Sequence, residues 1–150
     1  MHLYLYALPH IKQISKSIEE TFSVEVIYKG SMKPPPCAFN EKRRQYYAPA
    51  LLNLLEEASL WIVDVDIYTN GMNFIFGLAG DGKAVVSSYR LGNIEMIEKE
   101  AIHETGHVFG LPHCKNGCVM QFSNSLMEAM EKPSQLCQEC IKKLRDKINI

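Results

Sequence analysis

Residues 103–113 have the sequence HETGHVFGLPH, which places three histidines, one glutamate and one glycine at fixed spacings. Residues four apart on a helix lie on the same face, so His103 and His107 can both reach one cation. Glu104 lies beside the first histidine, where its carboxylate can reach a water on the metal and act as a general base. This spacing predicts a helix that carries a catalytic zinc site.

The end of the same stretch explains how a third ligand reaches the metal. Gly110 can take the left-handed conformation that ends a helix, and Pro112 discourages any continuation. The chain then turns back, and His113 reaches the same cation from a non-helical segment. Three neutral imidazoles leave zinc an open fourth position for water, whose pKa zinc lowers to about 7. A packed core residue explains His107 taken alone, and a zinc site with little hydrolytic activity stays an open alternative.

A second set of metal-ligating residues begins directly after the third histidine. Two cysteine pairs, C-x3-C and C-x2-C, are separated by 18 residues, and their members are Cys114, Cys118, Cys137 and Cys140. Such pairs supply four thiolates to a structural zinc, which has no open position and contributes to folding. Two disulfides are the alternative, although intracellular thiols are normally reduced. The remaining Cys37 is expected to be a free thiol.

The two sets of ligands are adjacent in the chain. Successive side chains of an extended segment point in opposite directions, so His113 and Cys114 can each bind a different metal. We therefore predict that the cysteine site anchors the loop that carries His113. Met120 could form an apolar floor beneath the histidines, and a gap-filling core methionine is the alternative.

The stretch from residue 103 to residue 140 resembles the metzincin clan of zinc metalloproteases, whose pattern is H-E-x-x-H-x-x-G-x-x-H followed by a methionine turn. Within that clan it is similar to the archaemetzincins, which add four cysteines downstream of the third histidine. The first cysteine pair has one intervening residue fewer than the family pattern. Weaker similarity at residues 44–46, 71–77 and 88–91 extends the resemblance over nearly the whole chain.

The resemblance implies a role for each matched position and a cofactor content of two zinc ions per chain. His103, His107 and His113 would bind the catalytic zinc, with Glu104 as general base and Met120 as the turn methionine. The four cysteines would bind the structural zinc. The implied fold is a metzincin-like domain.

Composition favours one globular domain. The 150 residues are 47% hydrophobic and 22% charged, and the formal net charge is −1. This balance argues against a nucleic-acid or membrane partner. A nucleic-acid adaptor would use the basic residues Lys142, Lys143, Arg145 and Lys147, but it leaves the histidine motif unexplained. No apolar run approaches the ~20 residues of a membrane span and no leader is apparent, so a cytoplasmic monomer is expected.

Hydrophobic periodicity predicts an α/β (α+β) domain with a twisted mixed sheet of about five strands and helices behind it. Asn93 is expected to cap the helix that carries the histidines, and Gly80-Asp81-Gly82 is a hairpin signal. Residues 1–110 would form an upper sheet-and-helix part, and residues 111–150 a smaller zinc-stapled part forming the floor of a cleft. Predicted strands are 3–8, 24–28, 61–68, 72–78 and 84–89, and predicted helices are 11–22, 42–58, 94–109 and 136–147.

These observations predict a zinc-dependent hydrolase whose substrate is a peptide or protein. An extended substrate could pair with an edge strand of the sheet, a common mode of peptide recognition. The residues proposed for this contact are Asn73, Phe74, Ile75, Phe76, Gly77 and Leu78. The alternative is a zinc-loaded module that binds peptides with weak or no turnover.

Overall fold

The computed structural model describes residues 1–148, and its first elements form a β-α-β unit. Strand β1 (His2–Tyr6) pairs in parallel with β2 (Glu25–Gly30). A short 3-10 helix at Pro9–Ile14 and helix α1 (Ser15–Phe22) connect them. The predicted parallel pairing is therefore confirmed, and one turn of the predicted helix is 3-10 because Pro9 starts it.

The main sheet has the strand order β2-β1-β5-β8-β7. Strands β5 (Ser59–Val63) and β8 (Lys83–Ser87) are parallel to β1, and β7 (Gly77–Gly80) is antiparallel to β8 at the sheet edge. The turn between β7 and β8 has positive φ at both central residues, 53° at Asp81 and 76° at Gly82. This backbone matches the twist of a two-residue hairpin, which confirms the hairpin signal.

Both faces of this sheet are covered by other elements. Leu60 and Ile62 of β5 pack in one cluster with residues of α1 and of helix α3 (Ile94–Val108). Trp61 and Val63 point to the opposite face, where they meet residues of α2 (Ala48–Leu52). Because successive strand residues alternate between faces, β5 is buried along its whole length.

A second, three-stranded sheet contributes one strand to residues 42–58, where a single helix was predicted. It has the order β3-β4-β6, formed by Phe39–Asn40, Gln45–Tyr47 and Ile67–Tyr68. Arg44 has φ 55°, a left-handed conformation that reverses the chain before β4. The helix prediction was therefore right only for residues 48–52, which form α2 with Pro49 in its first turn, and wrong for residues 42–47 and 53–58.

Two predicted strands are shorter than their periodicity indicates. The strand at 61–68 is interrupted after β5, because Asp66 leaves the sheet to bind the side chains of Gln45 and Arg90. In the segment 72–78 only the last two residues belong to β7. The preceding carbonyls of Met72 and Asn73 accept hydrogen bonds from Arg43 instead of from a neighbouring strand.

The C-terminal part contains α4 (Leu126–Glu131) and α5 (Gln138–Ile148). The first was not predicted, and the second begins two residues later than expected because Gln135 and Cys137 bond to the cysteine loop. No helix among residues 1–148 has the length and apolar character that crossing a bilayer requires.

Candidate metal centre

Helix α3 presents the first two histidines, and both of its ends are fixed as the sequence predicts. The Asn93 side chain accepts a hydrogen bond from the Met96 amide at 2.9 Å. At the other end Gly110 has φ 92°, and the Leu111 amide donates to the Gly106 carbonyl at 2.8 Å. This left-handed closure stops the helix and turns the chain back toward it.

The turn brings the third histidine to the first two. One ring nitrogen from each of His103, His107 and His113 lies within 4.8 Å of the others. The ring centroids are 4.7 to 5.4 Å apart. His103 is buried, His107 is half-buried and His113 is exposed, so the cluster opens toward solvent on the side of His113.

Hydrogen bonds orient two of the imidazoles. His103 Nδ1 lies 2.7 Å from the Val119 carbonyl oxygen, and His107 Nδ1 lies 2.7 Å from that of Leu111. A carbonyl can only accept, so each Nδ1 donates and each Nε2 keeps a lone pair for a metal. Burial lowers the pKa of His103 to about 3, and it also lowers the pKa of His107 and of His113. The neutral form that binds metals is therefore favoured.

Glu104 is buried beside this cluster. Its Oε1 lies 4.0 Å from His103 Nε2. Burial raises the pKa of Glu104 well above its usual range, the nearby Glu100 carboxylate adds to the rise, and Lys132 opposes it. The carboxylate thus lies next to the potential metal position, where it could hold or release a proton.

The four predicted cysteines also converge. One sulfur from each lies within 4.8 Å of the others, and Cys114 Sγ is 3.7 Å from Cys137 Sγ. Backbone amides donate to two of these sulfurs, with Cys137 N 3.3 Å from Cys118 Sγ and Cys140 N 3.5 Å from Cys137 Sγ. All five cysteines are free thiols, and Cys37 is exposed away from this group.

One tripeptide connects the two clusters. Cys118 belongs to the sulfur cluster, the Val119 carbonyl accepts from His103, and Met120 is fully buried. A Cβ built on Gly106 of α3 would overlap the Met120 thioether, so the two residues are in close contact. This position suits both an apolar floor beneath the histidines and a core methionine, and the role of Met120 stays a prediction.

The histidines and Glu104 line a cleft of about 380 Å³. Its lining also includes five of the six residues proposed for substrate contact, which are Phe74, Ile75, Phe76, Gly77 and Leu78. Asn73 is not among the lining residues, because its carbonyl accepts from Arg43 and Gln45. Phe122, Ser123 and Asn124 line the cleft without having been predicted, and Phe122 packs 5.4 Å from His113, centroid to centroid.

Comparison with known proteins identifies the family of this chain. The sequence model of peptidase family M54 matches residues 10–146. An archaemetzincin from Nanoarchaeum equitans is 43% identical over 133 residues, which cover 85% of this chain and 78% of the relative. An archaemetzincin from Archaeoglobus fulgidus is 39% identical over 145 residues, covering 90% and 91%.

The chain belongs to peptidase family M54. Solved archaemetzincin structures share its fold. The one from A. fulgidus, complexed with malonate, has a TM-score of 0.88 at 37% identity and covers 95% of this chain and 99% of that chain. The one from Methanopyrus kandleri has a TM-score of 0.87 at 35% identity, with 100% and 96% covered. The resemblance to archaemetzincins is confirmed, and the enzyme class is zinc metallopeptidase.

Both donor sets in this M54 peptidase suit zinc. Three neutral imidazoles beside an open cleft are the donors of a catalytic zinc with a free position. Four clustered sulfurs, two of which receive backbone hydrogen bonds, are the donors of a closed structural site. The chemistry of the residues therefore fits the metal that the family name implies.

Two charged residues of the M54 site were not predicted. The Lys132 side chain is 1% exposed, and its Nζ lies 3.7 Å from Glu100 Oε2 and 3.4 Å from His103 Nδ1. Glu100, His103 and Glu104 bring together side chains that could hold a metal ion. The Lys132 ammonium lies next to this group and supplies a positive charge there. Burial raises the pKa of Glu100 and lowers that of Lys132, and each residue opposes the shift of the other.

The position of Lys132 depends on tertiary contacts. Lys99 Nζ donates to the carbonyl oxygens of Ala129, Met130 and Lys132, which fixes the end of α4 against α3. Glu100 lies four residues before Glu104, a spacing that is visible in the sequence. Nothing in the sequence marks Lys132, because it follows a helix that periodicity did not reveal.

Proposed function

We propose that this M54 peptidase hydrolyses peptide bonds with a catalytic zinc held by His103, His107 and His113. The observation that carries the proposal is the convergence of these three imidazoles, two of them oriented by hydrogen bonds, with Glu104 in one cleft. We further propose that Cys114, Cys118, Cys137 and Cys140 hold a second zinc with a structural role. Two zinc ions per chain are therefore expected.

The zinc, when bound, supplies Lewis acidity at the scissile carbonyl and at the attacking water. Glu104 then takes a proton from this water on a carboxylate oxygen and later passes it to the leaving amine. His103 and His107 hold their Nε2 atoms toward the metal because their Nδ1 atoms donate to backbone carbonyls. Burial of Glu104 excludes competing water from the proton path.

We propose that an extended substrate lies along β7, in line with the sequence-based hypothesis. The strand is at the edge of the sheet, and its residues line the same cleft as the histidines. Backbone groups of an edge strand can add a peptide as a further strand. Ala79→Pro should then weaken peptide binding and leave zinc bound, because the amide of Ala79 faces the free edge whereas that of Leu78 pairs with Val85 of β8. Unchanged affinity in this variant, measured with a fluorescent peptide, would reject this contact.

The first experiment is elemental mass spectrometry of protein purified without added zinc or chelator, followed by a peptide-library assay. We expect two zinc ions per chain, one of which is lost in His113→Ala, and turnover that disappears in Glu104→Ala while both zinc ions stay bound. Binding of peptides without turnover in the unmodified protein would instead support a peptide-binding module. Salt-dependent binding of nucleic acid would favour the adaptor hypothesis.

A further inference from the structure

The edge strand and the active-site helix meet at one glycine. Gly77 is the first residue of β7, and the position that its Cβ would take lies against Glu104 of α3. A Cβ built there would be 2.7 Å from Glu104 Oε2, 2.8 Å from Cγ and 3.0 Å from Cδ. Real Cβ atoms essentially never approach other heavy atoms within 3.0 Å. The Glu104 side chain therefore fills the space that any other residue at position 77 would need.

Space rather than backbone conformation requires this glycine. The φ angle of Gly77 is not positive, in contrast to 76° at Gly82 and 92° at Gly110. An alanine could adopt the same backbone without strain. Gly77 pairs with Val86 in a regular antiparallel ladder, so β7 is held in place on its other side. The missing side chain is thus explained by the contact with Glu104.

Glu104 has little room to avoid a larger neighbour. The residue is 4% exposed, and its Oε1 already lies 4.0 Å from His103 Nε2. Gly77 bounds the side chain along its length from Cγ to Oε2, so a methyl group there would displace the whole carboxylate. The displacement would change the position of the carboxylate relative to the three histidines.

We propose that Gly77 is a positioning residue that sets the location of the Glu104 carboxylate. The inference rests on the proposed role of Glu104 in carrying a proton during peptide hydrolysis. A misplacement of about 1 Å in a reacting group can reduce the rate about 100-fold. Gly77→Ala should therefore lower kcat by about this factor while KM and the zinc content stay close to those of the unmodified protein.

The contact itself can be tested without any activity. Thermal unfolding of zinc-loaded protein is measured for Gly77→Ala, Glu104→Ala and the double variant. Overpacking should lower the Tm of Gly77→Ala by about 5 °C. In the Glu104→Ala background the added methyl group occupies vacated space, and its effect on Tm should fall below about 1 °C. Gly80→Ala is the matched control for stability, because it lies on the same strand and its Cβ would be 3.5 Å from the nearest atom, Leu52 Cδ2.

The two measurements separate failure of the inference from failure of the proposed function. An equal change in Tm for Gly77→Ala in both backgrounds would overturn the contact, and an unchanged kcat would overturn the positioning role. If the unmodified protein turned over no peptide, the proposed function would fail and the unfolding cycle would still decide the contact. A fall in kcat accompanied by loss of zinc would also contradict positioning, since it would indicate a damaged metal site.

Discussion

Helix α3 and the lower segment, residues 111–148, supply ligands to the same histidine cluster by different means. His103 and His107 are placed by helix geometry, and α3 is capped at both ends and packed against β7 and β8. His113 lies in a stretch without regular structure between α3 and α4, whose contacts run to the cysteine cluster and back to α3. We infer that α3 is specified by its own sequence, whereas the lower segment depends on the zinc proposed for the cysteine cluster.

The largest effect should come from removing one ligand of the cysteine site. Cys137→Ala should lose the structural zinc and lower the free energy of unfolding by at least about 3 kcal/mol, because binding of a structural zinc contributes about 10–16 kcal/mol in small domains. The histidine site should also lose affinity for zinc, since Val119 orients His103 and Cys114 is adjacent to His113. Zinc content and amide hydrogen exchange would measure both effects.

His113→Ala is the matched control for that experiment. It removes a ligand from the same segment and leaves all four sulfurs, so one zinc should remain and the lower segment should stay protected from exchange. If the Cys137→Ala protein instead kept two zinc ions, or if its lower segment exchanged amide hydrogens no faster than α3, the comparison would fail. Either result would show that the lower segment does not depend on the cysteine site for its structure.

The second-largest effect should come from breaking the ion pair of Lys132 with Glu100, which joins the lower segment to α3. Lys132→Met leaves the buried Glu100 carboxylate without its partner, which should cost about 3–5 kcal/mol of stability in chemical denaturation. Glu100→Gln combined with Lys132→Met removes both charges and should recover most of this loss. If Lys132→Met alone lowered the free energy of unfolding by less than about 1 kcal/mol, the ion pair would not hold the lower segment on α3.

The same contrast explains what the sequence could predict. The helix, both of its ends and the histidines were predicted because each depends on spacings within a few residues, and the cysteines because each of their two pairs has a metal-ligand spacing. The ion pair of Lys132 with Glu100 joins residues 32 positions apart through α4, a six-residue helix too short for hydrophobic periodicity to reveal. Residues 72–76 are mostly apolar and were predicted as part of a strand, yet Arg43 binds the carbonyls of Met72 and Asn73, and Ile75 makes an isolated bridge to Ile67.

The irregular backbone at residues 72–74 is a third case, because side chains rather than a metal contact it. Arg90 forms a bidentate pair with Asp66, and its guanidinium lies 4.2 Å from the centroid of the Phe74 ring. Because the Arg90 side chain is 41% exposed, Arg90→Gln should cost only about 1 kcal/mol at pH 7. A chelator should leave the stability cost of Arg90→Gln unchanged, whereas it should destabilise the lower segment.

The difference in stability between the unmodified protein and Arg90→Gln should depend on pH in a defined direction. Burial raises the pKa of Asp66, but hydrogen bonds from Arg90 and Gln45 outweigh burial and hold it below its usual value. Stabilisation by a carboxylate with a depressed pKa is complete above its unfolded pKa of about 3.9 and is lost as the pH falls through the folded pKa. Urea denaturation should therefore show a constant difference from pH 7 to about 5 and a shrinking one below about 4. A difference that did not change with pH would exclude the ion pair as its cause.

The smallest effects compare equivalent caps in the two regions. The side chains of Asn93 and Ser125 each accept a hydrogen bond from the amide three residues later, at the start of α3 and of α4. Replacing either by alanine should cost about 1 kcal/mol in zinc-loaded protein. After the zinc is removed, the cost of Asn93→Ala should persist because α3 remains folded, whereas that of Ser125→Ala should vanish because α4 has already lost its support. Equal costs with and without zinc would show that the lower segment folds without its metal, and the cysteine site would then only reinforce a structure that packing already specifies.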